Sequence, residues 1–110
     1  MRENASPESS PDELLSVLAD ECRRQVVRVL LETDSVVSLD GLAREIARRD
    51  RDSETARKRI KTMLYHSHLP ILADAGLIAY IRNDEWMYLM YTGSPKTTVL
   101  LLELLATEER

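Results

Sequence analysis

Between Ser53 and Gly76 the apolar positions recur at steps of three and four. Ile60, Leu64, Ser67 and Ile71 fall on one stripe, and Lys58, Arg59, Thr62 and His66 fall on the other side. That spacing predicts an amphipathic helix over about 54–75. Ser53 is its N-cap, Glu54 places an acid at the positive helix end, and Gly76 stands where a left-handed C-terminal residue is needed, with Leu77 directly after it. Pro70 removes one backbone donor inside this helix and is expected to bend or restart it. The pattern then changes to extended segments. Leu77 to Arg82 and Trp86 to Tyr91 are rich in apolar, β-branched and aromatic residues, and they flank the polar turn Asn83-Asp84-Glu85.

The first half of the chain reads as three shorter helices. Ser10 caps the first and Pro11 opens it, with Leu14, Leu15 and Leu18 on its apolar side. Asp20 caps the second, Glu21 to Leu31, whose Val26, Val27, Leu30 and Leu31 point inward while Arg23, Arg24 and Arg28 form a solvated face. Val36-Val37 is a one-bridge strand. Ser38 caps the third, with Leu39, Leu42, Ala43, Ile46 and Ala47 inward. Gly41 inside it is expected to admit a neighbouring helix, since glycine there otherwise costs about 1 kcal/mol. After the ribbon, Ser94 and Pro95 open a last helix to Thr107. Its Val99, Leu100, Leu101, Leu102, Leu104 and Leu105 are too many for one stripe and call for burial on two sides. Residues 1–10 are polar and read as a mobile tail. The division is therefore a tail over 1–10, a domain over 11–92 and a C-terminal helix over 93–110.

The fold class that follows is α+β: a mostly helical winged helix-turn-helix of order α-α-(β)-α-α-β-β-α, with a two- to three-stranded wing. A basic helix followed by a two-stranded ribbon is a DNA-reading arrangement. The segment His68-Leu69-Pro70-Ile71-Leu72-Ala73-Asp74-Ala75-Gly76-Leu77-Ile78 resembles the end of the recognition helix in ArsR-type repressors. Together with Cys22-Arg23-Arg24-Gln25-Val26-Val27-Arg28-Val29-Leu30, Ser38-Leu39-Asp40-Gly41-Leu42-Ala43 and His66-Ser67-His68-Leu69-Pro70-Ile71-Leu72, it resembles more narrowly a family of short haloarchaeal winged-helix domains. The likeness covers roughly residues 12–91. It implies the fold, and it implies activity only through the fold.

Charge sharpens this picture. The chain of 110 residues carries net −4, yet residues 44–61 hold eight Arg and Lys against four acids, or +4, which leaves −8 for the remainder. A local basic segment on an acidic body suits an anionic partner approached in one orientation. Three lysines stand against twelve arginines and nineteen acids, the balance of a salt-adapted protein. No apolar run approaches 18 residues and no signal core opens the chain, so a cytoplasmic protein without a membrane segment is expected.

The candidate DNA contacts are Arg51, Arg57, Lys58, Arg59, Lys61, Thr62 and His66, all donors suited to phosphates or base edges. The wing tip, Asn83-Asp84-Glu85, carries two acids that phosphate would repel, so little wing contact with DNA is expected. Trp86, Tyr88 and Tyr91 read as packing residues. Leu14, Leu18, Leu101, Leu104 and Leu105 are the candidate dimer contacts, and double-stranded DNA and a second copy are the expected partners. No cofactor and no metal are assigned. His66 and His68, two apart on a helix, point about 200° apart and cannot share an ion. Cys22, the single cysteine, reads as buried and structural. No catalytic constellation is present in the sequence, and a non-enzyme is expected. The alternative is a protein-interaction module built on the leucine-rich last helix and the acidic wing.

Overall fold

The computed structural model describes residues 2–4, 9–33, 36–49 and 53–108. The elements in chain order are β1 (Arg2–Asn4), α1 (Pro11–Val17), α2 (Glu21–Leu31), β2 (Val37–Ser38), α3 (Leu39–Arg49), α4 (Glu54–Met63), a π-helical turn (Leu64–His68), α5 (Leu69–Asp74), β3 (Ile78–Arg82), β4 (Met87–Tyr91) and α6 (Pro95–Glu108). With α4, the π turn and α5 taken as one continuous helix, this is an α+β fold of winged-helix type.

Local chemistry sets most boundaries. The Ser10 side chain accepts from the Glu13 N–H at 3.4 Å, Asp20 Oδ1 from the Arg23 N–H at 3.1 Å, and Ser53 Oγ from the Ala56 N–H at 3.0 Å. Each satisfies an orphan donor of the first helical turn and is worth about 1 kcal/mol. At the far end of α5, Gly76 takes φ 79°. Its N–H donates to the Ala73 carbonyl at 3.0 Å and the Leu77 N–H to the Leu72 carbonyl at 3.1 Å, a complete Schellman stop. Gly41 has a different role from the one expected. A Cβ there would meet Ser38 Oγ at 3.0 Å rather than another helix, and its own N–H donates to that oxygen at 2.9 Å. The glycine makes room for the cap of α3.

The sheet is antiparallel, in the order β1-β3-β4-β2. Ile78 pairs with Tyr91 and Arg82 with Met87; Val37 pairs with Leu89 and Ser38 with Tyr88, so the short strand expected at Val36-Val37 lies one residue later and makes two pairs. The outer strand on the other edge corrects the reading of residues 1–10 as a tail. Arg2, Glu3 and Asn4 pair with Arg82, Ile81 and Tyr80. Such pairing uses only backbone groups, so the polar sequence gives no alternation to announce it. Met1 and residues 5–8 lie outside the described residues.

One core joins the helices other than α4 to one sheet face: Leu14 and Leu18 of the α1 segment, Val26, Val27 and Leu30 of α2, Leu42 of α3, Leu64, Leu69 and Leu72, then Leu77, Ile78 and Leu89, with Leu101 and Leu102 of α6. The predicted stripe of the long helix holds only as far as Leu64. Ser67 is exposed and Ile71 is 40% exposed, while His68, Leu69, Leu72 and Ala73 are buried instead. Pro70 has no N–H to give its own turn, and the chain widens just before it. The Leu69 N–H reaches back five residues to the Leu64 carbonyl. That extra residue shifts the buried face by one position.

The arginines of α2 are also repositioned. Arg24 is 5% exposed and donates through Nη1 to the Leu18 and Ala19 carbonyls at 2.9 and 2.8 Å, and Arg23 Nε donates to the Val17 carbonyl at 2.6 Å. They terminate α1 by satisfying its last carbonyls, a role the solvated-face reading did not assign. α6 lies against α1. Its Leu101 and Leu102 are buried, and Thr98, fully buried, is hydrogen-bonded to the Tyr91 hydroxyl of β4.

Candidate functional site

α4 contributes no buried residue. It lies beside α3 and is held through its caps, through partly buried Ile60 and through its continuation into the π turn; Ala56 and Arg57 are half-buried, and the opposite side faces outward. Lys58, Arg59, Lys61, Thr62 and His66 are exposed and Arg57 is half-buried. Arg51 lies outside the described residues. Two of the lysines are engaged: Lys61 Nζ lies 2.5 Å from Asp40 Oδ1 of α3, and Lys58 Nζ lies 3.5 Å from Glu54 Oε1. The second pair is fully surface-borne and contributes little. The first crosses between α4 and α3 and is also solvent-exposed. Thr62 Oγ1 donates to the Lys58 carbonyl at 3.0 Å.

Arg59 has neither an ion pair nor a hydrogen bond among the described residues. The same holds for Arg44 of α3, which joins Arg57, Lys58 and Lys61 around a shallow depression between the two helices. Arg44 was counted in the basic segment but left out of the candidate contacts. Its position thirteen residues before Arg57 gives no hint that α3 and α4 bring the two together.

An open groove of about 520 Å³ separates α4 from the wing, with Asp40, Lys61, His66, Arg82, Asp84 and Glu85 among its lining. The wing turn is tight. Asn83 Oδ1 accepts from the Glu85 and Trp86 N–H groups at 2.8 and 3.0 Å, which presents Asp84 and Glu85 to solvent. Arg82, at the base of that turn, is bonded to the Tyr65 hydroxyl. Trp86 and Tyr88 pack edge to face, centroids 5.4 Å apart, on the outer side of the sheet, and both remain partly exposed.

The candidate dimer contacts divide. Leu14 and Leu18 are fully buried inside the chain and Leu101 is 9% exposed, so these three are core rather than surface. Leu105 is half-buried, and Leu104 is exposed beside Val99 and Leu100, which the candidate set had omitted.

His66 is exposed and His68 is 7% exposed, so these two do not converge. The fold brings His68 elsewhere. Asp20, Cys22 and His68 each place one donor atom within 4.8 Å of the others. Arg23 Nη1 sits 3.4 Å from His68 Nδ1. Burial pushes the Cys22 thiol up, and the Asp20 charge pushes the same way. Partial burial works to raise the Asp20 carboxyl, but the Arg23 and Cys22 backbone N–H groups and the nearby His68 and Arg23 charges outweigh it, and the net direction is down. Nothing in sequence spacing signals this cluster, because it joins a helix cap to a turn far along the chain.

Among the described residues no helix is long and apolar enough to cross a membrane. No curated protein and no solved structure matches the chain. A family model does match, over residues 15–87, which run from within α1 to the first residue of β4. That match takes in α2, α3, the basic α4, the π turn, α5 and β3 and covers more than half of the chain, so the chain belongs to the family described as Domain of unknown function (DUF7344).

Proposed function

We propose that the chain is a DNA-binding transcriptional regulator that acts as a homodimer, with α4 in the major groove. The observation that carries this reading is the exposure of α4. A helix with no buried residue contributes little to the core, and its outer side bears Lys58, Arg59, Lys61, Thr62 and His66. Arg59 and Arg44 have no partner among the described residues, so binding a phosphate or a guanine edge breaks no existing ion pair of theirs. Dimerisation through Val99, Leu100 and Leu104 would double the contacts. That matters in a salt-adapted protein, because at 1 M salt the screening length is about 3 Å and counterion release adds little affinity.

Gel shift and footprinting on the DNA upstream of the protein's own coding sequence, at molar potassium chloride, test it. A protected site is expected, lost in the double variant Lys58→Glu with Arg59→Glu. A second reading has an observation of its own. Arg82 is committed to Tyr65 while Asp84 and Glu85 project from the wing, and α6 exposes Leu100 and Leu104. These features suit a protein-interaction module. It predicts that the double variant keeps its protein partner and that no locus is protected.

A further inference from the structure

We propose that Asp20, Cys22 and His68 form a binding site for a borderline-soft divalent cation of the zinc type, with water at a fourth position. The proposal is independent of the DNA reading. Three different donor types converge from two elements: Asp20 and Cys22 from the start of α2, and buried His68 from the π turn. Their donor atoms already lie within 4.8 Å of one another. In a tetrahedral zinc site, bonds of about 2.0–2.3 Å put neighbouring donors about 3.6 Å apart. Closing the site therefore asks each donor to move by less than about 1 Å.

The donor set selects the ion. Thiolate, imidazole and one carboxylate suit zinc or cobalt, whereas magnesium and calcium require oxygen ligands throughout. Three protein ligands leave one position for solvent. Asp20 is oriented for the task by the Arg23 N–H on its Oδ1 at 3.1 Å, and an ionised carboxylate retains further lone pairs for a metal. On binding, the Cys22 thiol gives its proton to solvent and the thiolate sulfur takes the metal.

Arg23 brings a positive charge beside the three donors. Its Nη1 lies 3.4 Å from His68 Nδ1. Its Nε is anchored separately on the Val17 carbonyl at 2.6 Å. Arg23 can thus release the imidazole without leaving α1. Removal of its positive charge should strengthen cation binding.

The test titrates the full chain, stripped with a chelator, with cobalt(II). Expected are one equivalent bound, tetrahedral d–d bands and a thiolate-to-cobalt charge-transfer band that zinc abolishes by displacement. Cys22→Ser should lose the charge-transfer band with circular dichroism unchanged. Asp20→Asn, which can still cap α2, should weaken binding about tenfold or more. Arg23→Gln should tighten it severalfold, and His66→Gln should leave it unaltered. Should His68→Gln fail to fold, Cys22→Ser and Asp20→Asn decide the matter alone. Absence of the charge-transfer band at millimolar cobalt, its persistence in Cys22→Ser, or equal affinity in Asp20→Asn would overturn the site.

Discussion

Arg82, at the end of β3, donates to the Tyr65 hydroxyl and carries its guanidinium 5.5 Å from the centre of the same ring. The Arg82 guanidinium is therefore turned toward the π turn, where it braces the hairpin against the helix. The tip is left to Asp84 and Glu85. If α4 lies in a groove, those acids face phosphate. Asp84→Lys with Glu85→Lys should tighten DNA binding and steepen its salt dependence, each new phosphate contact adding about 0.9 to the log–log slope. Fluorescence anisotropy across a potassium chloride series reads both. An unchanged slope would show that the wing stays clear of the duplex.

The π turn makes a packing prediction. Leu64→Ala should cost about 2–5 kcal/mol, because the side chain is fully buried. Ile71→Ala should cost under about 1 kcal/mol, since Ile71 is 40% exposed although simple periodicity puts it on the same stripe. Urea denaturation of both variants checks the pair. Equal losses would mean that the helix does not widen before Pro70.

Gly76→Ala should destabilise by about 1–2 kcal/mol, because φ 79° is costly for any residue with a Cβ. The stop it forms leads directly into Leu77 and β3. The measurement is the denaturation midpoint, with a Gly93→Ala variant for comparison.

Leu100→Glu and Leu104→Glu should halve the solution mass if α6 forms the dimer, without lowering the melting temperature, because both side chains are exposed. Leu101→Asp should instead unfold the protein, since it places a charge on the buried side of α6 beside Leu102. Light scattering and thermal melts separate the two effects. A monomeric wild-type chain would remove the dimer altogether.

Glu45 gives a pH prediction. A hydrogen bond from Arg48, with further support from the Arg48 charge and from the Arg49 hydrogen bond and charge, holds its carboxyl below the ordinary 4.5 against the opposing effect of desolvation. Nη2 of Arg48 lies 2.6 Å from Oε1, and Nε of Arg49 lies 3.4 Å from it. A carboxyl whose folded pKa is depressed stabilises the fold fully above the unfolded value and loses that contribution as pH falls through the folded value. Glu45→Gln should therefore lower stability at neutral pH and flatten the acid limb below pH 4.5. An NMR titration of the Glu45 carboxyl gives the direction independently.

The helix ends were legible because capping is local. Ser10, Asp20, Ser38, Ser53 and Gly76 act within three residues of themselves, and each does what its position implies. The basic face of α4 was legible for the same reason. What escaped depends on distant partners. β1 pairs through backbone groups with a strand some eighty residues away. Arg23 and Arg24 read as a polar face until the end of α1 is seen against them. Leu14 and Leu18 read equally well as core or interface, and only the seating of α6 on α1 decides between them. Asp20, Cys22 and His68 meet only because the π turn rotates His68 inward.

The five-residue hydrogen bond from Leu69 to Leu64 also constrains how this chain can vary in length. Residues inserted before Lys58 would leave the facing of Lys58 and Arg59 unchanged. One residue added or removed between Tyr65 and Ser67 would swivel Lys58 and Arg59 by about 100° relative to the sheet. The spacing from Arg59 to Pro70 is thus an angular setting, and relatives that keep the proline should keep that count.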